Sequence, residues 1–469
     1  MNMSRAELLA LLAMAFGLLM DGLDASIVNI ALPSIAEYFG TDTNEVAWVT
    51  ISYFMMIAGM MLIFGRIADS GHIRKIYIAG FVIFAATSLV CGLSQNLMTL
   101  VAARCAQGVG AAMLAAVAPM ICVKFIPARN LGVAMGVFML AGSIGFGCGP
   151  AVGGIIVDLS SWHWCFFINV PIGVLGVLMA LRGLPKDHDI SKARLDLKGS
   201  LLIATCVISA VYILEMFTRD GQGLVCAVLG AVVFITLALF VYVEKRVDHP
   251  MLNVGMFRDW RLGASLMCYM LINVAYMGIY YILPFYMIKE LELDYAFSGI
   301  VILIPSVVCA LISLPAGRYC DLHGRRGTAI ACAALMIVTS FGFMCLTPEL
   351  GWWPLVPVGI MGGIVWGLCG PSVASRIIDL APLEEKGMAS TLSNLMYYAG
   401  GSIGTALFAT LLTFGAGSIG IPIEDIASEA FMDGYVFTMV CAICIAAVAV
   451  VCAYAIKENR TPAEESGAF

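Results

Sequence analysis

The sequence predicts an all-α, multi-pass membrane protein with fourteen transmembrane helices. Of its 469 residues, 61% are hydrophobic and only 12% are charged, whereas a soluble domain has about a quarter charged residues. Apolar runs of about 20 residues, long enough to cross a bilayer, recur along the chain. Basic residues lie in alternate connections between these runs, which supports an even number of spans.

Each apolar run defines one predicted span. In chain order the spans are 8–32, 45–64, 76–93, 97–120, 132–157, 163–183, 197–217, 222–243, 262–288, 297–317, 328–346, 352–375, 388–414 and 432–456. The N-terminus is similar to a signal peptide, but its apolar run continues to Asp21, so we predict an uncleaved first span.

The distribution of positive charge predicts the orientation of these spans. With the N-terminus inside, all but three of the 25 Lys and Arg residues face the cytoplasm. The exceptions are Arg219 and Lys289, which fall outside, and Arg104, which falls within a span. Because cytoplasmic loops are enriched in Lys and Arg, we predict that both termini are cytoplasmic and that the protein lies in the cell membrane.

Two similar loops predict an internal duplication. "GRIADSGHIRK" (65–75) follows the second span and "GRYCDLHGRRG" (317–327) follows the tenth. A repeated loop in two halves is typical of transporters built from two related bundles. We therefore predict a six-helix bundle at 1–183, a two-helix insertion with cytoplasmic links at 184–260, and a second six-helix bundle at 261–469.

Charged residues of the repeated loops can form ion pairs between cytoplasmic helix ends, either made in one conformation and broken in the other or static in both. These residues are Asp69, Arg74, Lys75, Asp321, Arg325 and Arg326.

Four further motifs occur in order on the first, fourth, fifth and sixth spans. They are "LDASIVNIALP" (23–33), "RCAQGVGAAM" (104–113), "GVFMLAGSIGFGCGPAVGG" (136–154) and "WHWCFFINVPIG" (162–173). With them the chain resembles the fourteen-helix branch of drug:proton antiporters in the major facilitator superfamily. The resemblance implies the major facilitator fold, with two extra central helices. It also implies proton-coupled export of amphiphilic, cationic drugs or toxic compounds by alternating access.

The fifth-span motif is implied by the resemblance to serve conformational change. Its residues are Gly136, Gly145, Gly149, Pro150, Gly153 and Gly154. Gly149-Pro150 removes one backbone hydrogen bond and lets the helix bend against a partner.

Three charged residues within spans are the candidates for proton coupling. Asp24 lies roughly 12 Å and Arg104 roughly 10 Å below the outer surface at about 1.5 Å per residue. The family architecture implies that their helices are neighbours, so Arg104 should pair with one of the acids. The motif match makes Asp24 the predicted proton carrier. Asp21, one turn away, is predicted as a second proton or cation site; its alternative role is helix packing.

Asp21 and Asp24 are close enough to influence each other. Two carboxylates in a low-dielectric environment resist ionising together. The sequence therefore predicts that one of them holds a proton at neutral pH.

A set of amide and phenol side chains is predicted to line the substrate cavity. Aromatic walls bind cations and flat hydrophobic molecules without strict demands on shape, although each tyrosine could equally serve helix packing. The candidates are Gln107, Asn273, Tyr276, Tyr280, Tyr281, Asn394, Tyr397 and Tyr398.

Other functional classes find no support in the residues. The histidines lie in loops or at span edges, and HExxH does not occur, so we predict neither an enzyme nor a metal site. Without a nucleotide-binding loop or cofactor motif, a proton gradient is the expected energy source. We expect a monomer that binds small amphiphilic substrates and protons in the bilayer, and no nucleic acid. The alternative is a proton-coupled exporter of one metabolite, amino acid or peptide on the same scaffold.

Overall fold

The fold is a bundle of long helices. The computed structural model describes residues 4–41, 43–46, 48–127, 131–187, 197–216, 223–246, 254–382, 385–418, 423 and 426–455. Within these ranges there is no strand, and fourteen helices have fifteen residues or more. They are α1 Arg5–Phe39, α2 Trp48–Ile67, α3 Ile73–Gly92, α4 Leu97–Phe125, α5 Leu131–Leu159, α6 Asn169–Gly183, α7 Leu197–Met216, α8 Gly223–Glu244, α9 Trp260–Phe285, α10 Tyr295–His323, α11 Arg326–Met344, α12 Leu355–Cys369, α13 Lys386–Gly415 and α14 Ser428–Ala455.

The predicted fold class is confirmed, and each of the fourteen predicted spans overlaps one of these helices. Twelve stretches of the described chain are long and apolar enough to cross a membrane. One of them, Trp48–Gly92, comprises both α2 and α3. The apolar part of α7, Lys198–Ile213, is shorter than the others.

Glycine sets two helix boundaries, and the apolar pattern misplaced the first of them. The first span was predicted to end at 32, but α1 continues to Phe39 and ends where Gly40 adopts a φ of 63°. Between α2 and α3 the chain turns at Gly71, whose φ is 106°. A side chain is disfavoured at such φ values, so glycine permits the helix end and the kink.

The helices pack in two similar sets of six. In the first set, α1 packs on α4, α5 and α6, while α4 packs on α2 and α3, and α3 on α6. In the second set, α9 packs on α13 and α14, while α12 packs on α10 and α11, and α11 on α14. Each of these second-set pairings corresponds to a first-set pairing with eight added to both helix numbers. The two sets are called the N-terminal and C-terminal bundles below; the exact domain boundaries stay a prediction.

The bundles meet through equivalent helices. The contact of α5 with α10 has its counterpart in the contact of α13 with α2, and α13 also packs on α4. Outside the bundles, α7 packs on α2, α13 and α8. This arrangement brings α1, α4 and α13 together near the middle of the molecule.

The close approach of α1 and α5 depends on the glycine motif. Gly145, Gly149 and Gly153 face α1, and a Cβ on Gly145 would lie 2.6 Å from the carbonyl oxygen of Leu19. Gly154 faces open space, so its position requires no small residue. The remaining motif residues, Gly136 and Pro150, lie within the continuous helix α5. Small residues let helix backbones approach in a membrane, and this contact fixes the position of the α1 acids.

Candidate functional site

The first part of the site is a buried cluster around Asp24. Both Asp24 and Arg104 have 0% exposure, and Arg104 Nη1 donates a hydrogen bond to Asp24 Oδ2 at 2.5 Å. Gln107 Nε2 and Asn169 Nδ2 donate to Asp24 Oδ1 at 3.0 and 2.7 Å. The guanidinium and two amides together compensate a carboxylate charge that would otherwise be costly to bury.

The guanidinium of Arg104 is held in place from several directions. Its Nε donates to the carbonyl oxygen of Val49 at 2.9 Å, and its Nη1 also donates to Gln107 Oε1 at 2.7 Å. Its central carbon lies 4.0 Å from the centre of the Tyr53 ring, in a cation–π geometry. The structure thus brings together the acid and the base that were predicted to lie at similar depth.

Two amide residues of this cluster differ from the sequence interpretation. Gln107 was assigned to the substrate cavity, but it is buried and also contacts Ser88 Oγ through Nε2 at 2.7 Å. Asn169 belongs to the quoted sixth-span motif but was not singled out. Motif spacing does not reveal which face of a helix turns toward α1, and this orientation decides both roles.

The second part of the site surrounds Asp21, which is 6% exposed. The hydroxyl of Tyr53 on α2 donates to Asp21 Oδ1 at 2.6 Å. The hydroxyl of Tyr398 on α13 donates to Asp21 Oδ2. Asp21 therefore joins the two bundles, and Tyr53, which sequence reasoning missed, contacts both Asp21 and the Arg104 guanidinium.

An aromatic row extends from Tyr398 into the C-terminal bundle. Tyr398 and Tyr397 have ring centres 4.9 Å apart, and Tyr397 lies 5.8 Å from Trp366. Trp366 stacks on Tyr276 at 4.5 Å with an interplanar angle of 16°, and Tyr276 lies 4.4 Å from Tyr280. The aromatic row thus contains four of the predicted cavity residues. Trp366 was missed because it sits in the plain apolar run "IVWGLCG".

Three other predicted cavity residues lie outside the aromatic row. Asn273 is fully buried and donates to the carbonyl oxygen of Tyr269 on its own helix at 2.7 Å. Asn394 donates across the bundles to the carbonyl oxygen of Ala115 at 2.8 Å. Tyr281 packs on a phenylalanine one turn away in α9. For Asn273 and Asn394 these contacts are made to helix backbones, and their place in the substrate cavity stays a prediction.

The first repeated loop is held by residues outside the repeat. Asp69 pairs with Lys124 at the end of α4, with 3.0 Å between Oδ1 and Nζ. The backbone N–H groups of Arg74 and Lys75 donate to the carboxylate of Asp187 at 2.8 and 3.2 Å. Of the loop residues predicted to form ion pairs, Asp69 thus pairs with Lys124, whereas Arg74 and Lys75 contact Asp187 through their backbones.

The second repeated loop makes a comparable set of contacts. Arg325 pairs with Asp379, and Arg326 Nη2 donates to the carbonyl oxygen of Tyr454 at 3.0 Å. The backbone of Asp321 lies in α10, while its side chain lies outside the described part of the chain.

Comparison with known proteins decides the family. The Major Facilitator Superfamily profile matches residues 14–405, which is most of the chain. The chain belongs to the major facilitator superfamily. The predicted family is thereby confirmed: this superfamily member is a multi-pass membrane transporter of small molecules.

Several curated relatives match this superfamily member over most of their length. Riboflavin transporter RibZ of Clostridioides difficile is 29% identical over 415 residues, covering 87% of this chain and 89% of RibZ. Multidrug resistance protein Stp of Mycobacterium tuberculosis is 30% identical, with 87% and 76% coverage. Putative multidrug resistance protein MdtD of Citrobacter koseri is 31% identical, with 85% and 84% coverage. Two of these three names agree with the predicted drug-transport branch.

Proposed function

We propose that this superfamily member is a proton-driven antiporter that exports amphiphilic, cationic compounds across the cell membrane by alternating access. The observation that carries the proposal is the pair of buried carboxyls on α1. Asp24 is paired with Arg104, whereas Asp21 joins both bundles beside the aromatic row. Because ionisable residues are costly at membrane depth, they mark ion and proton pathways.

The proposed cycle is a competition between a proton and a cationic substrate. A proton enters the α1 acids from the outside, the transporter opens inward, and the proton leaves as substrate binds. The loaded transporter then opens outward and releases the substrate. A proton gradient is the energy source, so the cycle needs no cofactor and no chemical step on the substrate.

The proposed orientation follows the basic loops. With both termini in the cytoplasm, the repeated loops and their Lys and Arg residues lie on the cytoplasmic side of the cell membrane. A single chain contains both bundles and both α1 acids, so a monomer is the proposed working unit.

The proposed substrate class follows from the neighbours of Asp21. A negatively charged carboxylate attracts a cation, and the ring faces of the aromatic row attract cations and flat apolar groups. Trp366, which stacks on Tyr276 and is only partly buried, offers an extended flat ring surface. Such a site tolerates variation in ligand shape, which suits export of several compounds.

A second candidate is export of one flat metabolite. One relative is named a riboflavin transporter, and the parallel Tyr276–Trp366 stack would also suit a fused-ring compound. This candidate predicts a narrow substrate range, whereas the first predicts several unrelated cations.

Transport by purified protein in liposomes separates the two candidates. We expect an imposed pH gradient to drive accumulation of tetraphenylphosphonium and ethidium, and collapse of the gradient with a protonophore to stop it. The same vesicles are tested with riboflavin and a panel of amino acids and peptides. Transport of a single metabolite and of no cation would overturn the first candidate, and transport that ignores the gradient would overturn proton coupling.

A further inference from the structure

One face of α13 forms the contact with the N-terminal bundle. Four residues spaced by four, three and four positions lie on this face, as helical periodicity requires. They are Gly387, Thr391, Asn394 and Tyr398, and we call them the α13 stripe.

Each member of the α13 stripe lies against a different part of the N-terminal bundle. Taken in order, the partners are Asp69, Gly65, Ala115 and Asp21. A Cβ on Gly387 would lie 2.6 Å from the Asp69 carboxylate, so the α13 backbone approaches this side chain closely at the predicted cytoplasmic end. The stripe thus holds the bundles together from that end up to Asp21, its innermost contact.

The two acids of α1 differ in their partners. Asp24 is bound by a guanidinium and two amides, all supplied by the N-terminal bundle. Asp21 is bound by two phenol hydroxyls, one from each bundle. A change of charge at Asp24 would disturb one bundle, whereas a change at Asp21 acts directly on the contact between the bundles.

We propose that Asp21, rather than Asp24, exchanges the transported proton, and that its charge controls the α13 stripe. This inference rests on the proposed antiport function and names the residue that couples the proton to the conformational change. It departs from the motif-based expectation, which placed the proton on Asp24.

The chemistry at Asp21 links protonation to opening. A charged carboxylate accepts hydrogen bonds that are about twice as strong as those between neutral groups. When a proton from the outer side bonds to a carboxylate oxygen, the charge disappears and the hydrogen bond from Tyr398 is weakened. The α13 stripe then separates, the molecule opens to the cytoplasm, and the proton leaves to water as a cation takes its place.

Among the titratable groups that surround it, Asp21 is the one that can change its charge in the physiological pH range. The titratable and charged groups that face it among the described residues are Tyr53, Tyr77, Tyr397, Tyr398, Asp24 and Arg104. Phenols are neutral over the physiological range and arginine stays charged. Asp24 is already paired with Arg104, and the α5 face against α1 consists largely of glycine.

Hydrogen–deuterium exchange of residues 386–398 tests the inference directly. The variant Asp21→Asn mimics the neutral acid, and Tyr398→Phe removes the phenol while keeping the ring. Loss of a charge-assisted hydrogen bond is expected to raise exchange of this segment about tenfold in both variants. The matched control is Tyr435→Phe, which removes a buried hydroxyl bonded to the carbonyl oxygen of Phe343 within the C-terminal bundle; it should leave the segment unchanged.

The response to pH provides the second readout. After correction for intrinsic exchange rates, acidification should speed exchange of 386–398 in the wild type and have no effect in Asp21→Asn. The doubly neutral variant Asp24→Asn/Arg104→Gln should keep the wild-type response. If Asp21→Asn responds to pH like the wild type, or only the double variant loses the response, the inference is wrong.

Liposome transport separates failure of the inference from failure of the proposed function. If the wild type couples transport to the pH gradient and Asp21→Asn does so equally well, Asp21 is not the exchanging acid while antiport stands. If the wild type shows no pH-driven transport but the exchange response depends on Asp21, the link to the α13 stripe stands and the proposed antiport function fails.

Discussion

Neutralising Arg104 should destabilise the protein far more than neutralising a surface arginine. In Arg104→Gln, the Asp24 carboxylate stays buried at 0% exposure but loses its counter-ion. Gln107 and Asn169 remain as donors to Asp24, yet amides do not neutralise a charge. Breaking a buried ion pair on one side costs about 3–5 kcal/mol.

The structure also predicts how the stability lost on neutralising Arg104 depends on the charge of Asp24. In Asp24→Asn/Arg104→Gln no net charge is buried, and the new amides can hydrogen-bond with Gln107 and Asn169. The double variant should therefore lose less stability than the two single variants combined. We expect a coupling free energy of about 2–3 kcal/mol, at the upper end for residues in direct contact.

The measurement is the free energy of unfolding by SDS titration in mixed micelles, followed by near-ultraviolet circular dichroism. Arg182→Gln is the matched control, since Arg182 is exposed at the end of α6, and it should change the free energy of unfolding by no more than about 0.5 kcal/mol. If the costs of the two single variants add within about 0.5 kcal/mol in the double variant, the ion pair is not what stabilises the cluster.

Three further outcomes can be checked on single variants. Asn169→Ala removes one of the three hydrogen-bond donors to the buried Asp24 carboxylate. It should lower the free energy of unfolding by about 1–3 kcal/mol in the same assay. Gly149→Ala places a methyl group against α1 and should cost about 1–3 kcal/mol, whereas Gly154→Ala meets open space and should be near neutral; equal thermal midpoints would contradict the packing argument. Trp366→Ala should weaken binding of tetraphenylphosphonium about fivefold in equilibrium dialysis through loss of a cation–π surface, whereas Trp353→Ala, at a residue 61% exposed in the loop before α12, should not.

The location of the charged pair could be predicted well from the sequence. Asp24 and Arg104 are separated by 80 positions, yet their depths follow from counting residues along two spans. The motifs supplied the neighbouring placement of their helices. What counting could not supply was the choice between Asp21 and Asp24 as the partner of Arg104, because two residues one turn apart differ in depth by only about 5 Å.

Most of the residues that contact Asp21 and Asp24 from other helices could not be predicted from the sequence. Tyr398 was assigned to a cavity, and its bond to Asp21 spans 377 positions. Tyr53 carried no distinguishing signal, since tyrosine occurs in many spans, and the motif that contains Asn169 does not show which helix this residue faces. Their roles depend on the rotation of each helix about its axis, which packing against neighbours sets.

The amino-acid sequence by itself determined the membrane class, the fourteen helices, the family and the presence of acids at membrane depth. These properties follow from apolar run lengths, from the sorting of basic residues and from local motifs, each of which acts within one segment. Only the tertiary structure decided that Asp24 is enclosed within one bundle while Asp21 bridges two. That difference arises because helix rotation and the close glycine contact of α1 with α5 determine which side chains meet, and no single segment encodes it.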